Sequence, residues 1–133
     1  MGELGFEVIP GPELVTLTPE AYGERVRSKI GDGAARGGRP GGRAGPIFLS
    51  FDIDVLDPAS APGTGTPEVA GLEPREALGF LRALAGISFT GFDLVEVAPA
   101  YDSPGQITAL NAAAVAFDLL ALLAVARSRA RRP

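Results

Sequence analysis

The 133-residue chain has no cysteine and no histidine. Without cysteine, disulfides and thiolate metal sites are excluded. Without histidine, the usual acid/base near neutral pH and the commonest side-chain metal ligand are both missing. Lysine occurs once, at Lys29. The net charge of −4 gives no electrostatic reason to expect nucleic acid or an anionic membrane as partner. The opening residues, MGELGFEVIP, carry no basic segment leading into an apolar run, as a signal peptide would. Phe6 stands where a myristoylation signal needs Ser or Thr. The most membrane-like stretch is Ala109–Ala126, ALNAAAVAFDLLALLAVA. It contains Asn111 and Asp118, and an Asp at mid-membrane costs about 2.5–3.5 kcal/mol. A buried helix of a cytoplasmic protein is therefore expected there, with no membrane partner.

What is present points to one globular domain. Hydrophobic residues make up 46% and charged residues 21%, in a length that suits a single core. Gly5–Ile9, GFEVI, alternates as a short strand and is closed by Pro10-Gly11-Pro12. Thr18-Pro19-Glu20 opens a helix, with Thr18 as N-cap and Pro19 at the first helical position. Leu17, Ala21, Val26 and Ile30 can share a face of it, and Gly31-Asp32-Gly33 is expected to end it. Pro46–Asp54, PIFLSFDID, is apolar almost to its end, as a strand buried on both faces reads. A second helix begins at Glu73-Pro74-Arg75-Glu76 and stops before Gly86. Ser88–Pro99 is a third strand, and Gly105 to about Arg129 a final helix.

Strands alternating with helices imply parallel strands joined by helical crossovers, hence an α/β layered domain. Ligand sites in such sheets lie beyond the carboxyl ends of the strands. Asp52, Asp54 and Glu96 all fall near such ends. The Gly/Arg-rich segment 34–45 reads as a flexible surface loop. It has no aromatic residue for base stacking, which sets aside a nucleic-acid role.

Asp52 and Asp54, two apart on a strand, would point to one face about 6.6 Å apart at Cα. Their charges repel unless a cation lies between them, and carboxylate oxygens suit Mg or Mn. A structural alternative is that one aspartate merely caps a turn, as Asp57-Pro58 does. A phosphotransferase using this D-x-D pair would want a lysine downstream, and Lys29 lies upstream.

The longer string SFDIDVLDPASAPGTGTPE, at Ser50–Glu68, resembles the signature of the ureohydrolase family of arginases and agmatinases. GFEVIPGPEL, REALGFLRALAG, GFDLVEVAPAYD and GQITALNAAAVAFDLLALL extend the resemblance to nearly the whole chain. The APGTGTPE form leans toward agmatinase. The resemblance implies a three-layer α/β fold, a parallel sheet with flanking helices. Residues 1–133 are expected to be the C-terminal part of one such domain, so the fold would be incomplete. It further implies hydrolysis of a guanidino compound such as agmatine to putrescine and urea, in polyamine biosynthesis. Two manganese ions (Mn2+) would be the cofactors, with Asp52 and Asp54 among their ligands. Thr66 would line the guanidinium site and Glu96 would pair with the guanidinium; assembly into trimers or hexamers is common in the family. The family's remaining metal ligands and its proton-shuttling histidine have no counterpart here, and Ser60 replaces a usual aromatic residue. An alternative is therefore a family-derived pseudoenzyme or assembly partner without catalysis.

Overall fold

The computed structural model describes residues 6–37 and 47–130. A short helix, α1 (Gly11–Leu14), precedes the long α2 (Pro19–Gly37). Strand β1 (Ile47–Asp52) leads through a loop to α3 (Pro74–Ala83), then to β2 (Phe89–Val95) and the final helix α4 (Ile107–Ala130). Thr18 caps α2 as expected, its Oγ1 accepting from Ala21 N at 3.2 Å. At the start of α3, Glu73 N donates to Glu76 Oε2 at 2.8 Å, and Pro74 fills a position whose N–H has no helical partner. Gly86, at φ 95°, turns the chain out of α3 in a conformation that a side chain would resist.

The two strands pair in parallel, with Leu49 opposite Phe92 and Asp52 opposite Val95. Ile47, Leu49 and Phe51 share a face with Phe89, Phe92 and Leu94, packed against Leu81 of α3, Leu84 just after it, and Val115, Leu119 and Leu122 of α4. Side-chain alternation puts Phe48, Ser50, Asp52 and Asp93 on the opposite face. Phe48 is 61% exposed there, so among the described residues helices cover only one side of the sheet. This is a partial three-layer arrangement, one helical layer on a parallel sheet.

Four expectations need correction. Phe6–Ile9 forms no strand and pairs with nothing in the sheet. Glu7 is instead tethered to α2 by Arg25 at 2.6 Å and Lys29 at 3.4 Å, and Phe6 and Val8 stay exposed. A strand needs a partner, and ion pairing has taken the place of a ladder. Helix α2 does not stop at Gly31–Gly33 but runs to Gly37. Glycine weakens a helix by roughly 1 kcal/mol yet lacks the ring clash that makes proline a stop. The expected loop 34–45 is thus helical to residue 37, and 38–45 lies outside the described residues. Ala21, expected on the packed face, is exposed and Tyr22 packs in its place, while Val26 and Ile30 face the core as expected. Finally, α4 is not buried all round. Val115, Leu119 and Leu122 pack inward, while Leu110, Phe117 and Leu120 remain exposed. Ile107–Ser128 is long and apolar enough to cross a membrane by length and composition, with 28% of its most apolar window buried.

Candidate functional site

Strand β1 ends at Asp52, and Ile53–Val55 forms a single 3₁₀ turn. Asp54 is therefore not on the strand, and the two-apart strand geometry does not apply to it. The turn has its own logic. Asp52 caps it, its Oδ1 accepting from Asp54 N at 3.1 Å. Ile53 drops into the core with no exposed surface and leaves the aspartates on either side of it partly exposed. The two carboxyl groups still converge. Partial burial is the main cause that raises the Asp52 pKa, and the neighbouring carboxyls of Asp54 and Glu96 add to it, against an opposing hydrogen bond from Asp54 N.

The following loop folds back over this pair. Asp57 forms the expected turn, accepting from Ala59 N at 2.9 Å. Asn111 Nδ2 holds the Ser60 carbonyl at 2.9 Å. Thr66 Oγ1 donates to Asp54 Oδ2 at 2.6 Å, so the threonine is placed on the acid pair. Glu96 follows the last residue of β2 with φ 64°, a left-handed backbone that costs a non-glycine residue about 1–3 kcal/mol. Its Oε2 lies 4.0 Å from where a Cβ on Gly65 would sit. Among the described residues Glu96 has no ion-pair partner, so no arginine or lysine of this chain neutralises it there. Asp52, Asp54, Thr66 and Glu96 are thus brought to the carboxyl end of the sheet.

The donor chemistry suits a hard cation: oxygen ligands, with negative charges that repel when nothing lies between them. The donor number falls short. Among the described residues no group of three or more acidic side chains is placed to hold a metal ion.

Sequence reasoning missed Asp102. Its Oδ1 accepts from Ser103 N at 2.8 Å, Thr108 N at 3.2 Å and Thr108 Oγ1 at 2.9 Å, and its Oδ2 from Ala109 N at 3.0 Å. It caps α4 from well upstream of the helix. The local signal was Asp-Ser-Pro-Gly just before a helical run, a capping composition. Desolvation pushes its pKa up, but hydrogen bonds from Ala109, Thr108 and Ser103 outweigh it and hold the group below the usual carboxylate value. A lowered folded pKa contributes stability above the unfolded value, lost as pH falls through the folded one. Amide-exchange protection at Thr108 and Ala109 should therefore drop below about pH 4, and Asp102→Asn should flatten that dependence. Equal acid sensitivity in both proteins would show that another group controls the helix end.

The arginase family model matches residues 2–122. The mitochondrial agmatinase of Gallus gallus is 48% identical over 121 residues, covering 90% of this chain and 31% of that protein. The crystal structure of a hypothetical agmatinase from Burkholderia thailandensis is 46% identical at a TM-score of 0.73, covering 90% of this chain and 34% of that one. Proclavaminate amidino hydrolase from Streptomyces clavuligerus is 38% identical at a TM-score of 0.78, covering 94% and 37%. The chain spans about a third of the length of such relatives.

Proposed function

The chain belongs to the arginase family, and on that premise we propose that it carries the carboxylate and guanidinium-binding part of an agmatinase-type hydrolase of guanidino compounds. The observation that supports this reading most directly is the meeting of Asp54, held by Thr66, with Asp52 and Glu96 at the ends of adjacent parallel strands. In the complete site two manganese ions would supply an activated water at neutral pH. Asp52 and Asp54 would contribute to holding them. Glu96, without an ion-pair partner among the described residues, offers a carboxylate to a planar cation, for which paired hydrogen bonds are the preferred geometry. Gly65 leaves the approach to that carboxylate open. The donor set is too small for two dications, and no histidine can carry a proton to the leaving amine. This chain by itself is thus expected to be inactive. The small donor set fits equally the second reading, a family-derived partner without catalysis.

Calorimetric titration with Mn(II), beside a urea assay with agmatine, separates these readings. We expect weakly held Mn(II) and no urea above background. Two tightly held ions, or turnover near ~10 s⁻¹, would show a complete enzyme instead. No binding even at millimolar Mn(II) would leave only the non-catalytic reading.

A further inference from the structure

We infer that Thr108 and Asp102, neither of which contacts Asp52, Asp54 or Glu96 through a hydrogen bond, are positioning residues that set the Gly63–Thr66 loop over the site. This rests on the reading of those three acids as the functional site.

The argument begins with a single proton. Thr108 is fully buried, and its hydroxyl has one hydrogen to give. It gives that hydrogen to Asp102 Oδ1 at 2.9 Å, an acceptor strengthened by its charge. The hydroxyl oxygen is then left to accept, and it accepts from Gly63 N at 2.8 Å. The direction of the chain of bonds is fixed, from Gly63 through Thr108 to Asp102. The other side of the same residue is also held, because Ala98 N donates to Gly63 O at 2.8 Å, two residues beyond Glu96. Gly63 is gripped on both its N–H and its C=O, by segments on either side of the Asp102 turn.

Steric fit closes the arrangement. A Cβ on Gly63 would lie 2.8 Å from the Cβ of Asp102 and 3.0 Å from its Cα and Cγ, so the loop backbone rests directly on the aspartate. From this anchor Thr64 is buried, Gly65 faces the Glu96 carboxylate, and Thr66 reaches Asp54. Two residues, Thr64 and Gly65, separate the anchor from the hydroxyl that orients Asp54. The capping group of α4 and the loop over the acids therefore form one hydrogen-bonded unit, with the helix as its rigid mount.

The test compares Thr108→Val, which keeps the shape and removes the hydroxyl, with Thr108→Ser, which restores it. Amide spectra of the full chain read the loop, and a Mn(II) titration reads the site. In Thr108→Val the Gly63 amide should lose about tenfold in exchange protection. The Gly65 and Thr66 signals should shift while those of α3 stay in place, and Mn(II) should bind more weakly. Thr108→Ser should return all of these toward wild type, a rescue that loss of packing alone would not give. Asp102→Asn provides a second variant should Thr108→Val not fold, and it should move the same loop signals. Unmoved Gly65 and Thr66 signals in a folded variant, or a serine variant that behaves like valine, would overturn the proposal. Wild-type chain that binds no Mn(II) while the loop signals still respond would count against the site reading and leave the positioning intact.

Discussion

Replacing Ile53 by alanine should lower the unfolding free energy by about 2–5 kcal/mol, the range for deleting a large aliphatic side chain from a packed core. Ile53 is completely buried and sits in one cluster with Leu56, Ala61, Leu72 and Ala77. Those neighbours belong to the end of the turn, the returning loop and α3, elements unable to collapse together into the space left. A domain holds only about 5–15 kcal/mol in total, so this change threatens the fold as a whole. It should also weaken Mn(II) binding before the chain unfolds, because the buried side chain anchors the turn that presents Asp52 and Asp54. Ile53→Val should cost only about 0.5–1.5 kcal/mol and keep the metal response. Denaturant unfolding and calorimetry of both variants test the pair; an alanine variant as stable as the valine one would contradict the anchoring role.

Asp52→Asn should separate stability from function. The Asp52 pKa is raised above the ordinary 3.8, first by partial burial, with further pressure from Asp54 and Glu96. A carboxyl with a raised folded pKa is charged at a cost at neutral pH, and the cost is relieved as pH falls through the folded value. Asparagine removes the charge but keeps the oxygen that caps the turn for Asp54 N. The variant should be slightly more stable than wild type at pH 7, by less than ~1 kcal/mol because solvent screens the site. That gain should shrink at acidic pH. Its Mn(II) affinity should fall at least ~10- to 100-fold, since even changes behind a first ligand have effects of that size. Melting curves across pH and a metal titration check both halves. A variant that loses stability at pH 7 would mean that the charge contributes a native contact.

Much of the fold was legible because its signals are local. Thr18 and Pro74 mark helix starts through their own backbone chemistry. The apolar run before Asp52 marks a strand, and an intervening helix made its pairing parallel. The misreadings came where a distant group decides. The Phe6–Ile9 segment has strand composition, but Arg25 and Lys29 on α2 hold its Glu7. The chain leaves β geometry at Asp52 because Ile53 has a core to enter, so Asp54 reaches its neighbours through a turn. The candidate acids stand out in the sequence by their place at strand ends and by the family string. Asp102 and Thr108 escaped notice because their task is visible only once Gly63, 45 residues from Thr108 in sequence, is seen between them.

The pairing of β1 with β2 also governs the order of events during folding. The first ladder contact, Ile47 with Phe89, spans 42 residues (89 − 47), and no hairpin shortens the search. Closing a loop of that length costs entropy before any ladder hydrogen bond forms. Helix α3 lies inside the loop and α2 beside it, so helical contacts can assemble on a faster timescale. Until β2 arrives, β1 has no strand partner among the described residues. A chain built this way spends its slowest step with a strand edge open to other molecules. Its folding yield should therefore fall with protein concentration more steeply than its equilibrium stability would suggest.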